Sequence, residues 1–138
     1  MRYLGLDLGS RRLGVSISDP NGIIASAYKV IEHNEEYEKL VEDIKKIVSD
    51  EKIEKIVLGL PKNMNNTIGP KGELSYKFKE MLEEKIDKEV ILVDERLTTK
   101  EATDVLIKGN TSRKNRKKVV DSLAATIILQ SYLDRVIK

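Results

Sequence analysis

Residues 3–19 read YLGLDLGSRRLGVSISD, an apolar strand that carries one carboxylate and is followed by a glycine-rich turn and a second apolar strand. Leucines alternate with Gly5, Asp7 and Gly9 along the first strand. Because successive side chains point to opposite faces of a strand, Asp7 faces away from the leucines, and its neighbours on that face have no side chains. Burying an ionised carboxylate without partners is costly, so we expect Asp7 to meet a cation, hydrogen-bond donors or water. A divalent metal or a phosphate site would satisfy this acid; an ordinary hairpin with an arginine that neutralises it is the alternative.

Length and composition predict one domain over residues 1–138. A chain of 138 residues encloses a single core but not two lobes with a cleft, which argues against the two-lobed phosphate-binding fold of sugar kinases, actin and chaperone ATPases. No apolar run approaches the roughly 20 residues of a membrane span, so we expect no membrane partner. Cysteine is absent, which excludes thiolate metal sites and is compatible with a cytoplasmic location.

The net charge is only +2, but cations are concentrated late in the chain. We expect residues 113–118 to form a loop that follows a phosphate backbone with salt-sensitive, sequence-independent affinity; a solvated flexible loop is the alternative. No set of aromatic residues accompanies this run, so stacking on single-stranded bases is not predicted. Lys62 and Asn63, in the polar loop after the fourth strand, are weaker candidates for substrate contacts, because surface turn chemistry explains them equally well. The cations of the run are Arg113, Lys114, Arg116, Lys117 and Lys118.

Periodicity and turn residues predict five strands and four helices. We expect His33, the single histidine, to be an exposed turn residue just before a helix capped by Asn34. The predicted elements are strands at 2–8, 12–18 and 23–31, the helix capped by Asn34, a strand at 53–58, a helix at about 73–87, a strand at 89–93, a helix at about 100–108 and a final helix at 119–136.

The connections between these elements predict the topology of the sheet. Short turns make the first three strands an antiparallel meander, and a right-handed helical crossover brings the fourth strand in parallel to the first. The result is an α/β fold with a mixed five-stranded sheet in the order 3-2-1-4-5, with strand 2 antiparallel to the rest and helices on both faces. This is the ribonuclease H-like arrangement.

Three carboxylates from separate elements are candidates for one metal site. Asp7 lies on the central strand, Glu95 leaves the fifth strand at the same edge, and Asp121 begins the final helix. Converging acids of this kind hold two Mg²⁺ or Mn²⁺ ions about 4 Å apart and stabilise both oxygens of an in-line phosphodiester displacement. The fifth strand lies two strand spacings, about 10 Å, from the first, which favours the longer Glu95 over Asp94.

Each of these acids also has a purely structural explanation. Asp94 or Glu95 could simply pair with Arg96 or Lys100. Asp121 could be an acid that stabilises the N-terminus of the final helix. The metal-site hypothesis gains its weight from the three acids together.

Four segments of the chain resemble, in this order, the motifs of the YqgF (RuvX) family. The resemblance covers nearly the whole chain and implies a ribonuclease H-like fold, distant kinship to Holliday junction resolvases and a cytoplasmic location. The segments are GLDLGSRRLGV at 5–15, the loop from GLP at 59–61 to Gly69 and Pro70, DERLTT at 94–99 and DSLAA at 121–125.

The resemblance also implies functional residues. It makes Asp7, Glu95 and Asp121 the metal-binding acids, and Arg12 and Arg96 phosphate-facing residues. The activity it implies is that of a nuclease that trims the 5′ end of precursor 16S ribosomal RNA.

The leading hypothesis is therefore an Mg²⁺- or Mn²⁺-dependent nuclease, with two ions, that acts on structured RNA, with the pre-ribosome as a partner. A resolvase that cuts branched DNA is an alternative and would predict a symmetric homodimer. A non-catalytic RNA-binding factor in ribosome assembly, which keeps the fold and binds through residues 113–118, is the third hypothesis.

Overall fold

The computed structural model describes residues 1–9, 11–61, 69–94 and 113–137, with the backbone alone for residues 71, 113–122 and 137. Five strands and three helices lie within these ranges. They are β1 (Tyr3–Leu8), β2 (Arg12–Ser18), β3 (Ala25–Glu32), α1 (Tyr37–Asp50), β4 (Lys55–Leu60), α2 (Pro70–Lys85), β5 (Glu89–Asp94) and α3 (Arg113–Ile137).

The strands form one sheet in the order β3-β2-β1-β4-β5. β1 is antiparallel to β2 and parallel to β4, while β2 and β3 are antiparallel and β4 and β5 are parallel. The predicted order and the antiparallel orientation of the second strand are confirmed. β1 is therefore the central strand, and the carboxyl ends of β1, β4 and β5 meet at one edge of the sheet.

A hydrophobic core lies on each face of the sheet. On one face, alternate residues of the strands, such as Leu4 and Leu6, pack with α1 and α2. On the other face, Tyr3, Val57 and Val93 pack against the buried side of α3. The helices thus cover both faces of the sheet, as the sequence pattern predicts. We call the face that packs with α1 and α2 the α1/α2 face, and the face that packs with α3 the α3 face.

The start of α1 differs from the prediction. The helix begins at Tyr37, its N-cap residue is Glu36, and no side chain caps it. Asn34 is therefore not the cap. The segment before the helix is held instead by His33, whose backbone N–H donates to the Arg11 carbonyl at 2.9 Å.

The bounds of β4 and α2 also shift by a few residues. Ile53 does not open β4, because its N–H donates to the carbonyl of Val48 at 3.0 Å and so belongs to the turn that ends α1. Lys52 within that turn has a φ of 54°, which reverses the chain. α2 begins at Pro70, where the fixed φ of proline suits the first helical position.

The basic run is helical, and the prediction of a loop at 113–118 is wrong. α3 includes every residue from Arg113 to Ile137. Lysine and arginine are good helix formers, and this run has neither glycine nor proline to interrupt it. Asp121 consequently lies within the helix, so the explanation of Asp121 as an acid at a helix N-terminus does not hold.

α3 meets the sheet along one side of the helix. Leu123 and Ile128 are buried on this side, whereas Ala124, Ile127 and Ser131 are only half-buried. The sheet side is completed by Ala125, Leu129 and Leu133. Within the described ranges, no helix has the length and apolarity needed to cross a membrane.

Candidate metal and nucleic-acid site

Asp7 lies near the carboxyl end of β1, on the α3 face. Tyr3 packs against α3, whereas Leu4 and Leu6 belong to the opposite core. Strand alternation therefore puts Asp7 on the same face as Tyr3, as predicted. Its side chain is half-buried.

Glycines border Asp7 on both neighbouring strands. In the β1–β2 pairing, Asp7 stands opposite Gly14. On the other side, Leu6 pairs with Leu58, so the next row brings Gly59 beside Asp7. Paired residues share a face of the sheet, so neither neighbouring strand places a side chain beside the carboxylate. The positions of Gly14 and Gly59 beside Asp7 do not follow from the sequence alone, because they depend on the register of the strands.

Gly5 has a different role from the one expected. It does not leave open space beside Asp7, because α3 occupies that space. A Cβ atom on Gly5 would lie 2.7 Å from Cβ of Leu129 and 2.9 Å from the carbonyl oxygen of Ala125. Glycine at this position is what allows the helix to lie directly on the central strand.

Within the described ranges, the carboxylate of Asp7 has no hydrogen-bond or ion-pair partner. The nearby Arg12 does not neutralise it; its Nε lies 3.9 Å from a carboxylate oxygen of Glu32. The hairpin alternative, in which an arginine of the turn neutralises the acid, is therefore not what these residues form. A half-buried carboxylate without a cationic neighbour is suited to receive a cation.

The turn after Asp7 is held by His33, a residue that the sequence analysis treated as an exposed turn residue. Nδ1 of His33 accepts from the N–H of Glu35 at 3.0 Å, so Nε2 carries the proton and donates to the carbonyl of Gly9 at 2.8 Å. The N–H of Gly9 in turn donates to the carbonyl of Arg12 at 2.8 Å. No spacing rule predicts these contacts, because they join two loops that meet only in the folded sheet.

Asp94 ends β5 at the same edge of the sheet but faces the other side. Val93 packs in the core beneath α3, and Leu92 packs against the opposite core. Alternation then puts Asp94 on the α1/α2 face, opposite to Asp7. Gly59, the neighbour of Asp7 on β4, pairs with Val93 on β5. Val93, and not Asp94, is therefore the residue of β5 in the same cross-strand row as Asp7.

The register of α3 on β1 locates the backbone of Asp121. The ring of Tyr3 lies 5.8 Å from that of Tyr132, and the position of Gly5 meets Ala125 and Leu129, so α3 runs antiparallel to β1. The next step along β1 is Asp7, about 6.6 Å beyond Gly5. The matching step along α3 is position 121, one turn or about 6 Å before Ala125. The backbone of Asp121 is thus level with Asp7.

The remaining predicted residues divide into two groups. Glu95, Arg96, Lys62 and Asn63 lie outside the described residues. The basic residues of 113–118 lie on α3, three to eight residues before Asp121, so this part of the helix extends past the sheet edge that carries Asp7. At about 100° per residue their positions are spread around the helix axis rather than along one side.

The donor chemistry at this edge suits a hard divalent cation, since carboxylate oxygen is the ligand that Mg²⁺ and Mn²⁺ prefer. In the part of the chain that the structure describes, no group of three or more acidic, histidine or cysteine side chains could hold a metal ion. Asp7 is the described residue that fits such an ion.

A central strand ending in an acid, within a 3-2-1-4-5 sheet covered by helices, defines a ribonuclease H-like protein. RuvC from Thermus thermophilus in complex with a Holliday junction substrate shares this fold, with a TM-score of 0.64 over 99% of this chain and 96% of that chain at 12% identity. A second structure of the same RuvC gives a TM-score of 0.59 at 15% identity.

The family described as "RuvX: Holliday junction resolvase" matches residues 1–135. The chain belongs to this family. A relative from Listeria monocytogenes serotype 4b (strain CLIP80459), named "Putative pre-16S rRNA nuclease", is 51% identical over 97% of this chain and 98% of its own length. A relative of the same name from Clostridium botulinum (strain Alaska E43 / Type E3) is 48% identical over the full length of both chains. The fold is shared with RuvC, and both relatives are named "Putative pre-16S rRNA nuclease".

Proposed function

We propose that this protein is a metal-dependent nuclease that hydrolyses phosphodiester bonds of structured RNA, with the 5′ end of precursor 16S rRNA as its substrate. The observation that carries the proposal is the carboxylate of Asp7 near the end of the central strand, which has no partner among the described residues, is bordered by glycines and is level with the backbone of Asp121. The name of the relatives supports the choice of RNA substrate.

In this proposal Asp7, Glu95 and Asp121 hold one or two Mg²⁺ or Mn²⁺ ions. When bound, such ions lower the pKa of the attacking water and stabilise the charge on the phosphate oxygens. The protein's part is to present oxygen ligands from two elements that are packed directly on each other. Gly14 and Gly59 contribute by leaving space for a phosphate group beside Asp7.

The second acid is better assigned to Glu95 than to Asp94. Strand alternation puts Asp94 on the α1/α2 face. From that face its carboxylate would have to reach around the sheet edge to bind the same ion as Asp7. An extended chain that continued by one residue would bring the next side chain to the α3 face. Gly59 between the two strands places no side chain in the path from β5 to Asp7.

The cationic residues are assigned to the phosphate backbone. Arg12, Arg96 and the basic run of α3 would bind phosphates on either side of the cleaved bond, with affinity that falls as salt rises. A helical run presents its charges around a rigid axis, so it suits a folded RNA whose phosphates approach from more than one direction. Lys62 and Asn63 remain secondary candidates for the same role. Processing of ribosomal RNA would place the protein in the cytoplasm, in contact with the pre-ribosome.

Cleavage by the purified protein tests this proposal. Labelled precursor 16S rRNA and a four-way DNA junction are each incubated with Mg²⁺, with Mn²⁺ and with EDTA, for the wild type and for Asp7→Asn. We expect metal-dependent cutting of the RNA that EDTA and Asp7→Asn abolish, while Asp7→Asn still binds the RNA. Cutting by Asp7→Asn at the wild-type rate would contradict the mechanism.

A junction resolvase is the second candidate function, because the family is described as a Holliday junction resolvase and the fold is that of RuvC. Resolution requires two symmetric incisions, so this candidate predicts a homodimer. Preferred cutting of the DNA junction by a dimeric protein would favour it. RNA binding with no cutting and no metal binding by the wild type would instead indicate a non-catalytic assembly factor.

A further inference from the structure

Ser16 makes a buried polar contact between the sheet and α3. Its side chain is fully buried, and its hydroxyl donates to the carbonyl oxygen of Ala125 at 2.8 Å. Ser16 pairs with Gly5 across β1 and β2, and a Cβ atom on Gly5 would clash with Oγ of Ser16. The hydroxyl, the glycine and the helix backbone thus meet at one point.

A hydroxyl is an unusual choice for this position if packing alone is needed. An alanine would be buried there without a hydrogen-bonding requirement, whereas a buried hydroxyl is unfavourable unless it is paired. The carbonyl of Ala125 lies inside α3, where the helix already supplies it with a donor. The extra hydrogen bond therefore satisfies the hydroxyl rather than the helix.

The hydrogen bond supplies a directional restraint. Apolar contacts are not directional and permit a helix to slide by a fraction of an ångström, but a hydrogen bond requires a defined distance and angle. The Ser16 contact lies one helical turn from Asp121. The polar contacts of Gln130 on α3, in which the N–H of Ala25 donates to Oε1 of Gln130 at 2.8 Å and Nε2 of Gln130 donates to the carbonyl of Ile23 at 2.9 Å, are more than two turns from Asp121.

We infer that Ser16 is a positioning residue of the nuclease site: its hydroxyl, seated over Gly5, sets the register of α3 on β1 and hence the position of Asp121 relative to Asp7. This inference rests on the proposed function, since it assigns Ser16 a role through the two acids. Residues that orient metal ligands typically cost about 10- to 100-fold in metal affinity or activity when they are replaced. A displacement of about 1 Å at reacting groups has an effect of similar size.

The test compares Ser16→Ala with Ser18→Ala. Ser18 is a matched control, because it lies two residues further along β2 and is 2% exposed. Its hydroxyl accepts from the N–H of Tyr3 at 2.8 Å and donates to the carbonyl of Asp19 at 3.0 Å, so these hydrogen bonds stay within the strands and the adjoining turn. Mn²⁺ affinity is measured by electron paramagnetic resonance, together with kcat and KM for precursor rRNA and the midpoint of thermal unfolding.

For Ser16→Ala we expect Mn²⁺ affinity and kcat to fall about 10-fold or more, with KM for the RNA changed less than about twofold. For Ser18→Ala we expect a lower unfolding midpoint, with Mn²⁺ affinity and kcat within about twofold of the wild type. Wild-type Mn²⁺ affinity in Ser16→Ala, or an equal loss in both variants, would overturn the inference. If Ser16→Ala does not fold, Ser16→Cys takes its place under the same criteria, because a thiol fills the site but is a weak donor.

Two further variants separate this inference from the proposed function. Asp7→Asn and Asp121→Asn remove ligands directly. If either variant keeps wild-type Mn²⁺ affinity and cleavage, the proposed function fails. If both lose them while Ser16→Ala behaves like Ser18→Ala, only the positioning role fails.

Discussion

Asp7 and Asp19 lie at opposite ends of the same antiparallel meander, and their surroundings differ completely. Oδ1 of Asp19 accepts from the N–H groups of Ile23 at 2.7 Å and Ile24 at 2.8 Å, and Oδ2 accepts from Asn21 at 3.3 Å. These backbone hydrogen bonds, that from Ile24 above all, hold the pKa of Asp19 below its usual value although burial opposes the shift. Asp7 has no such donor among the described residues.

The difference distinguishes an acid that builds a turn from an acid left available for a ligand. In the turn at Asp19, backbone N–H groups donate to the carboxylate of Asp19 itself. Gln130 joins this turn to α3, because its Nε2 donates to the carbonyl of Ile23 at 2.9 Å. The turn at Asp7 is closed by backbone bonds and by His33, and among the described residues the carboxylate takes no part in it. One end of the meander therefore uses its acid to hold a turn, and the other end carries the acid that we propose as a metal ligand.

Exchanging each acid for its amide gives the largest expected contrast. Asp7→Asn should lower cleavage by more than about 100-fold, because losing a ligand costs more than losing a residue that orients one. Its unfolding midpoint should stay at or above that of the wild type, since no described partner is lost. Asp19→Asn should keep cleavage within about twofold. Cleavage assays and thermal melts of both variants check the contrast, and a loss of activity in Asp19→Asn alone would reverse it.

The turn glycines give the next contrast. A Cβ on Gly9 would lie 2.8 Å from the carbonyl oxygen of Arg12, so Gly9→Ala should displace the turn beside Asp7 and lower kcat about 10-fold. Gly22 has a φ of 69°, so Gly22→Ala should cost about 1 kcal/mol of stability with little change in kcat. Urea denaturation and steady-state kinetics distinguish the two. Equal kcat values for both variants would contradict the contrast.

The side chains that tie each turn should give a smaller contrast. His33→Ala removes the hydrogen bond to Gly9, which should cost about 1 kcal/mol and lower kcat by about threefold to tenfold. Gln130→Ala should cost a similar free energy of unfolding and leave kcat within about twofold, because Ser16 still holds the register of α3. If Gln130→Ala lowers kcat as much as His33→Ala does, the two ends are not independent.

The smallest expected effect is a dependence of stability on pH. The pKa of Asp19 is lower in the folded chain than its ordinary value of 3.8, so its carboxylate contributes stability above that value. This contribution is lost as pH falls through the folded pKa. The gap in unfolding midpoint between wild type and Asp19→Asn should therefore be constant from neutral pH down to about 5 and should close below about 4. Melts across this range measure it, and a gap that widens as pH falls below 3.8 would refute the assignment.

The fold was largely predictable because it follows from local signals. The alternation of residues around Asp7 predicts which face of the central strand carries this acid. Short turns followed by a helical crossover predict the order of the strands in the sheet. The helix at 113–118 contradicts the predicted loop because lysine and arginine favour helices, although a dense run of charge is also typical of a solvated loop. The predicted helix cap at Asn34 is wrong because the segment before α1 is held by hydrogen bonds of His33 to Gly9 and Arg11, in the turn between β1 and β2.

The site was only partly predictable, because its details depend on contacts between strands and helices. Asp7 carries a signal in its own strand, but Gly14 and Gly59 gain their meaning only from the pairing register. Ser16 is one polar residue in an apolar strand, and nothing in the sequence indicates that it faces the carbonyl of Ala125. From the sequence, only side-chain length distinguishes Glu95 from Asp94 as the candidate second metal ligand. The alternation of β5 adds that Asp94 lies on the face opposite to Asp7.

α3 acts mechanically as a lever. Its second half is pressed on the sheet, and its first half, which carries the basic run, extends past the sheet edge. A rotation of about 5° around Ala125 would move the backbone of Arg113 by about 1.6 Å and that of Asp121 by about 0.5 Å, given about 1.5 Å of rise per residue. A displacement of the basic run would thus reach the backbone of Asp121 at about one third of its amplitude, so binding of a polyanion at the run would, in the proposed site, change the spacing between Asp121 and Asp7.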